Sequence, residues 1–341
     1  MDPSEALAAI AYRLEAAGAE TYKVRAFRGA ARAVADAGHE TVRTLAESGR
    51  LRQLPGVGDT TAQVIAEALA GEVPSYLVRL DEQAQETATT MSPAAAALRG
   101  ALQGDCHSHS QWSDGSSPIA AMAEAAMALG HRYLALTDHS ARLTVAHGLD
   151  AERLRRQLEE VAAVNEELAP FRVLTGIEVD ILEDGTLDAE PALLDELDVV
   201  VASVHSKLQM EPEQMTRRML RAVQDPRTDI LGHCTGRIVV GRGRRPSRFD
   251  AEAVFAACAA TGTAVEINSR PERRDPPPEL LDSAVEAGCL VAVDTDAHAP
   301  GQLEWLGNGC EQAAAAGVPT TAVVNSWPLD ALLAWGRRDA G

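Results

Sequence analysis

Lysine is nearly missing from this chain: Lys23 and Lys207 stand against 29 arginines, so phosphate contacts would fall almost entirely to arginine. Cysteine is sparse and scattered. The five residues, at 106, 234, 258, 289 and 310, are odd in number and form no Cys-x-x-Cys pair, which argues against a disulfide framework and suits a reducing cytoplasm. Four each of Phe, Trp and Tyr leave little for a base-stacking platform, so sequence-specific reading of single strands is not expected. No apolar run reaches the length of a membrane span, and the acidic start, Met1-Asp2-Pro3-Ser4-Glu5, lacks the basic-then-apolar order of a signal peptide. The expected location is cytoplasmic, with no membrane partner. Positive charge is short as well. The formal net charge of −19 argues against nonspecific DNA binding by the bulk surface. That shortage is uneven: residues 1–80 hold nine Lys/Arg against ten Asp/Glu, a net −1, so nearly all the excess lies beyond residue 80, where divalent cations would offset part of it.

What is present is a globular composition, 46% apolar and 24% charged, over 341 residues. That length admits two domains, or one barrel with an appendage. Residues 4–80 read as helical throughout. Ser4 is placed to cap a helix whose Leu7, Ile10, Ala11 and Leu14 recur at helical spacing before Gly18. A second helix over about 22–37 carries Lys23, Arg25, Arg28 and Arg32, and Leu54-Pro55-Gly56-Val57-Gly58-Asp59-Thr60-Thr61 leads into a third helical run, 62–69. Residues 81–103 are expected to form a linker with some helix. From 104 onward, short apolar runs alternate with alanine-rich helical stretches. Candidate strands are 104–107, 132–137, 171–178, 198–204, 229–233, 264–268 and 290–294, with 320–325 as a possible eighth. Such alternation over about 240 residues implies a parallel sheet, closed as a barrel or nearly so.

The residues that carry chemistry crowd the ends of those runs. Six of nine histidines fall in five clusters: His107-Ser108-His109, Thr137-Asp138-His139, Ser203-Val204-His205, Gly232-His233 and Asp294-Thr295-Asp296-Ala297-His298. Glu178 ends another run. Imidazoles and carboxylates presented from many strand ends of one barrel are how proteins hold transition metals for hydrolysis. Alternate residues of an extended segment point the same way, so His107 and His109 can face one ion together, as can Asp296 and His298 with Ala297 turned away. Asp114 lies just after the first strand, within reach of a neighbouring ion. One histidine at a strand end is usually a packed or surface residue. Six of them beside three acids are not, because burying so many unpartnered polar rings is costly.

At these positions the sequence resembles the polymerase-and-histidinol-phosphatase (PHP) domains. The resemblance covers about 104–330 and rests on Asp105-Cys106-His107-Ser108-His109, Asp114-Gly115, Thr137-Asp138-His139, Gly176-Ile177-Glu178, Ser203-Val204-His205-Ser206, Gly232-His233 and Asp294-Thr295-Asp296-Ala297-His298. It implies an α/β fold, a distorted (β/α)7 barrel of PHP type at 104–341, with up to three divalent metal ions. Zinc, manganese and iron all suit such ligands. Carried over by motif, His107, His109, Glu178 and Asp296 would hold one ion. Glu178 would bridge to a second held by His205 and His233, and Asp114, His139 and His298 would hold the third. All nine positions carry a competent ligand, which the resemblance reads as an active enzyme. Gly232-His233-Cys234-Thr235-Gly236-Arg237 and Gly262-Thr263-Ala264-Val265-Glu266-Ile267-Asn268 are similar to the PHP domain attached to bacterial family X DNA polymerases. That group usually has proline after the histidine. The Cys234 found here is either an extra soft ligand or a buried spectator.

Residues 1–80 are expected to be a small all-α helix-hairpin-helix domain. Glycine lets a backbone approach phosphate closely, and free N–H groups at a helix start favour an anion. Gly56, Val57, Gly58 and Thr60 of the hairpin turn are therefore candidate DNA contacts. Tyr22-Lys23-Val24-Arg25-Ala26-Phe27-Arg28-Gly29 resembles the N-terminal domain of family X polymerases, which adds Lys23, Arg25 and Arg28. Two departures from that family matter. Val64 occupies the position of its lyase lysine and cannot form a Schiff base. Between the two domains there are only residues 81–103, too few for a polymerase palm. Neither lyase nor polymerase activity is expected.

Clustered divalent ions suit phosphoester hydrolysis by in-line attack of a bridging hydroxide on phosphorus. Arg237 and Lys207, each close after a clustered histidine, are candidates to hold the substrate phosphate. Arg242, Arg244, Arg245 and Arg248, with Arg270, Arg273 and Arg274, form either a basic rim or two solvated loops. The first functional reading is a metal-dependent DNA end-processing enzyme, a 3′-5′ exonuclease or 3′-phosphatase, or one acting at abasic sites. The alternative is a small-molecule phosphatase, acting on histidinol phosphate or nucleotides, whose helical domain contacts protein. A non-catalytic DNA-binding module is the third, disfavoured by the complete ligand set.

Overall fold

Five helices build the N-terminal part of the computed structural model, which describes residues 1–87 and 91–336. They are α1 (Pro3–Ala16), α2 (Thr21–Ala37), α3 (His39–Glu47), α4 (Asp59–Leu69) and α5 (Ser75–Thr87). The chain divides into two units, Met1–Thr90 and Met91–Gly341. In the first, the helical spacing read from the sequence becomes a single core in which Leu7, Ile10 and Leu14 of α1 meet Phe27 and Val34 of α2 and Val64 and Ile65 of α4. Asp2, not Ser4, caps α1. Its carboxylate accepts the N–H groups of Ser4 and Glu5 in a capping box, because Pro3 already sits at the first helical position. The Leu54–Gly58 turn packs against α2: a side chain at Gly56, whose φ is +75°, would meet Gly29 and Ala30 backbone at 3.8–4.0 Å.

The second unit begins with α6 (Pro93–Ala101), whose Ala95 and Leu98 join Leu306, Cys310 and Ala313 in a buried cluster. Residues 93–101, read from sequence as part of a linker, are therefore a packed helix of this unit, and 75–87 close the helical one. Seven strands follow: β1 (Gly104–Ser108), β2 (Tyr133–Leu136), β3 (Arg172–Asp180), β4 (Val199–Ser203), β5 (Ile230–Leu231), β6 (Ala264–Asn268) and β7 (Val291–Asp294). They pair in chain order and all in parallel. Helices alternate with them: α7 (Ile119–Ala128), α8 (Ala151–Glu167), α9 (Pro191–Leu194), α10 (Pro212–Val223), α11 (Ala251–Thr261), α12 (Pro278–Glu286) and α13 (Leu306–Ala315). The result is a nearly closed seven-stranded barrel. Every strand residue of β1, β2, β4, β6 and β7 is buried, as parallel strands covered on both faces must be.

The expected eighth strand does not form. Residues 320–322 and 324–326 are two 3₁₀ turns, joined to the sheet by a single bridge between Val291 and Val323. Asn325 takes the hydrogen bonds such a strand would have made at the seam. Its side chain donates to the carbonyls of Gly104 (3.1 Å) and Val293 (2.6 Å) and accepts the N–H of Val293 (3.0 Å). The last helix, α14 (Leu329–Gly336), covers the end of the barrel where the strands begin, with the Trp335 indole donating to Gly262 O at 2.9 Å. The opposite end is left to loops. Among the described residues, no helix is long and apolar enough to cross a membrane.

Candidate metal centre

β1 delivers the first two imidazoles. Ser108 turns its hydroxyl outward to Ala135 O at 2.7 Å, so His107 and His109 on either side of it face the barrel axis, both buried. The same alternation works after β7, where Ala297 joins an outer apolar cluster while Asp296 and His298 point inward. Asp296 adopts φ +53°, a left-handed conformation unusual for a non-glycine residue, and such strain concentrates at functional sites. Asp114 is brought in by a tight loop. The Asp138 carboxylate accepts the N–H and hydroxyl of Ser110 (2.9 and 2.7 Å), and a side chain at Gly115 would strike Ser110 O at 2.6 Å.

Glu178, near the end of β3, is the hub. Its Oε2 lies 3.3 Å from His107 Nε2, 3.5 Å from His109 Nε2 and 2.9 Å from His139 Nδ1. Its Oε1 lies 3.1 Å from His205 Nε2 and 2.9 Å from His233 Nε2. One carboxylate thus divides five imidazoles between its two oxygens. Asp114 Oδ1 forms a second focus, 3.5 Å from His139 Nε2 and 3.3 Å from His298 Nε2. Asp296 Oδ1 stands 3.3 Å from His109 Nε2 and 4.0 Å from His107 Nε2. The nine residues expected from sequence are therefore brought together at one barrel end.

Hydrogen bonding does not satisfy these atoms. His107 Nε2, His109 Nε2, His205 Nε2 and both oxygens of Glu178 are buried without a hydrogen-bond partner. Leaving that many polar atoms unpaired costs about 1–3 kcal/mol each. Convergent lone pairs at these separations fit divalent cations. Three overlapping donor groups have ligand atoms close enough for one ion: His107, His109 and Glu178; His139, Glu178 and His205; and Asp114, His109, His139 and His298.

The charges are arranged to match. Burial alone would raise the Glu178 carboxyl, but His205, His107 and His139 outweigh it and hold it well below the ordinary range. Burial and then the neighbouring His298 and His139 lower His109 to about 3, which keeps its ring neutral and its lone pair available. Burial raises the Asp296 carboxyl, yet Arg273 and His109 pull it far down. Outside the ligating atoms, further carboxylates orient the rings. Glu266 receives the Nδ1–H of His107 at 2.6 Å, and the His233 backbone N–H, leaving His107 Nε2 for the centre. Asp180 accepts the His205 N–H at 3.2 Å and lies 3.5 Å from its Nδ1.

Sequence reasoning assigned no role to Glu266 or Asp180. The signal was there: Glu266 is the one ionisable residue of β6, and Asp180 lies two residues beyond Glu178, on the same strand face. Other expectations shift. Arg237 spends its guanidinium on the carbonyls of Arg273 (3.0 Å) and Arg274, and so braces that loop. Lys207 is exposed and does not border the cavity over the centre. The cations that do are Arg270 and Arg273, read from sequence only as part of a rim. Arg273 Nε lies 3.1 Å from Asp296 Oδ2, and Arg273 Nη1 is buried with no hydrogen-bond partner. Arg242, Arg245, Arg248 and Arg274 are exposed. Cys234 is a spectator: it is buried, its sulfur approaches Asp275 at 3.8 Å, and burial pushes the thiol well above its ordinary range. In the helical unit Lys23, Arg25 and Thr60 are exposed, but Arg28 is clamped by Glu15 at 2.6 and 2.8 Å, and the Gly58 N–H goes to Thr61 Oγ1. Val57 is buried, and so is Val64 at the position where a lyase lysine would stand.

Residues 105–270 fit the PHP domain model and residues 2–73 a helix-hairpin-helix domain model. The chain is similar to the DNA polymerase/3′-5′ exonuclease PolX of Bacillus subtilis, 38% identical over 259 residues, covering 76% of this chain. It spans less than half of that relative, 45% of its length. It is also similar to a probable phosphatase of Syntrophotalea carbinolica, 29% identical over 232 residues, which covers 65% of this chain and 90% of that one. Among solved structures, the histidinol phosphate phosphatase of Lactococcus lactis with zinc, L-histidinol and phosphate overlaps 63% of this chain and 92% of its own, with a TM-score of 0.45 and 18% identity.

Proposed function

We propose that this chain, which is similar to PHP-domain proteins over its barrel and to helix-hairpin-helix domains ahead of it, is a metal-dependent phosphoesterase that acts on DNA ends as a 3′-5′ exonuclease or 3′-phosphatase. The observation that carries the proposal is the pairing within one chain of a convergent donor set, seven residues in overlapping groups with His233 and Asp296 beside them, with a helical unit that exposes Lys23, Arg25 and a glycine hairpin turn. The −1 balance of residues 1–80 leaves that unit able to approach a polyanion, which the barrel's own charge does not favour.

In this reading His107, His109, Glu178 and Asp296 hold one divalent ion, Glu178, His205 and His233 a second, and Asp114, His139 and His298 a third. Zinc, manganese and iron all suit these donors. Ions bound there would polarise the phosphoryl oxygens and supply a nucleophile from water at neutral pH. The protein's own residues do the rest. Glu266 keeps the His107 proton on Nδ1, Asp180 orients His205, and burial keeps His109 neutral. Arg273, with its free Nη1 beside Asp296, replaces Arg237 as the donor for a substrate phosphate. The cavity it borders, about 370 Å³ and lined by Asp114, His139, His205, Arg270, Asp296 and His298, gives a phosphoester access to the donors.

A small-molecule phosphatase whose helical unit contacts protein is the second reading, favoured by the net charge of −19. Purified protein with Mn²⁺ and 5′-labelled oligonucleotides, beside a His107→Ala/His109→Ala variant, separates the two. A ladder shortening from the 3′ end, or loss of a 3′-phosphate, absent in the variant, supports DNA processing. Release of phosphate from small monoesters with no DNA turnover supports the second reading instead.

A further inference from the structure

The most exposed apolar side chains of the barrel unit stand on two loops. Among its described large hydrophobic residues the three most exposed are Val145 (86%), Val240 (53%) and Val239 (50%). Val145 stands in the loop between β2 and α8, and this loop borders the cavity over the metal centre through Leu143, Val145 and Ala146. Val239 and Val240 follow Ile238, which borders the same cavity, in the loop between β5 and α11. β2 and β5 are three strands apart in a seven-strand order, close to half-way around the barrel. The two apolar loops therefore rise on opposite sides of one mouth.

Neither loop is loosely built. Ile238 and Arg244 exchange two backbone hydrogen bonds, 3.0 and 2.8 Å, and Gly241 and Gly243 take left-handed φ values of +62° and +65° to turn the chain between them. The Val239 N–H is tied to Glu272 O at 2.7 Å, on the loop that carries Arg270 and Arg273. The other loop is pinned by Arg153, which donates to the carbonyls of His147 (2.5 Å) and Gly148 (2.9 Å). Val239 and Val240 are adjacent, held beside the cavity and rimmed by arginine, the arrangement in which an apolar patch takes the apolar face of a ligand. The same hairpin exposes Arg242 and Arg245 just beyond the valines, so the ligand is apolar next to the scissile phosphate and anionic further out.

We infer that Val145 on one side, and Val239 and Val240 on the other, grip the terminal nucleobase of a polynucleotide whose scissile phosphate lies at the metal centre, while Arg242 and Arg245 meet the phosphates behind it. The inference rests on the DNA reading and goes further, naming the residues that recognise the end. Valine contacts a base through its π-face without hydrogen bonds, so the grip is indifferent to sequence. It requires that the end carry a base.

The test uses the full chain with two 5′-labelled oligonucleotides, identical except that one ends in a nucleotide and the other in an abasic tetrahydrofuran analogue. The wild type is expected to show a KM about tenfold lower for the base-bearing end, in the range that burying a valine side chain against an apolar surface gives. Val145→Ser and Val239→Ser/Val240→Ser are expected to shrink that ratio to about one, and Val145→Ile to retain it. A second readout does not depend on turnover. With 2-aminopurine as the terminal base, emission should rise several-fold on binding as the base leaves its neighbour for the valines, and this rise should be lost in the serine variants. Equal KM values for both ends in a wild type that degrades DNA would overturn the grip and leave the DNA reading standing. Hydrolysis of glycerol phosphate with no turnover of either oligonucleotide would overturn both.

Discussion

Replacing Glu178 by glutamine preserves the shape of the side chain and removes one charge from among five imidazoles. The carboxylate now serves His107, His109 and His139 through Oε2, and His205 and His233 through Oε1. An amide has one oxygen to offer, so whichever group faces the NH₂ loses its carboxylate. A site held at a thousand times its dissociation constant contributes about 4 kcal/mol to folding, and each kcal/mol moves the melting temperature of a unit this size by about 2–4 °C. Chelation should therefore lower the barrel transition of the wild type by about 8–16 °C for each such site. Losing even the orienting partner of a ligand weakens metal binding by about 10–100-fold, so losing the shared carboxylate should cost the metal-loaded variant at least about 1.4–2.7 kcal/mol, or about 3–11 °C. Calorimetry with excess Mn²⁺ and with EDTA, beside metal content by mass spectrometry, measures this directly. A Glu178 that only packs the core would lower both melting temperatures equally. A ligand lowers the metal-loaded one more. Unchanged metal content, with the same chelator-sensitive shift as the wild type, would refute the assignment.

Three further outcomes follow from the geometry. Glu266→Gln deprives the His107 Nδ1–H of its carboxylate, and should weaken metal affinity about 10–100-fold in a competition titration with a chelating dye; wild-type affinity would sink the orienting role. His131, buried beside Arg99 at 3.4 Å, is lowered from 6.5 to about 4 by burial and then by that guanidinium. It stays neutral in the fold while the unfolded chain takes up a proton below pH 6.5, so its contribution is intact above pH 6.5 and lost as pH falls to about 4, on the order of 3 kcal/mol. His131→Leu should flatten that part of the stability curve, and a variant whose acid limb matches the wild type would contradict the argument. In the helical unit, Lys23→Ala/Arg25→Ala should reduce the slope of log affinity for duplex DNA against log salt by about 1.8, whereas Arg28→Ala should lower stability by about 1.5–3 kcal/mol by removing the two hydrogen bonds that Arg28 donates to Glu15. Salt titrations and urea melts of the two variants distinguish the roles, and a changed slope with unchanged stability for Arg28→Ala would reverse them.

Strand ends, helix faces and the residues on them were legible from the chain alone, because they depend on periodicities of two and 3.6 residues that act within a few positions. β6 falls on the expected residues 264–268, and His107, His109, Asp296 and His298 face inward as alternation demands. Contacts between distant segments were not legible. Arg237 donates to carbonyls 36 and 37 residues away, which no local pattern encodes. Asn325 replaced an eighth strand because the backbone groups of Gly104 and Val293 meet there only once the barrel curls. Residues 93–101, polar-flanked and alanine-rich, read as a linker until α13 offered Ala95 and Leu98 a face to bury against. Local patterning was enough to bring the donor residues to the ends of their strands. Which oxygen of Glu178 meets which ring, and which arginine keeps a free donor, depend on the closure of strands from across the chain around one carboxylate.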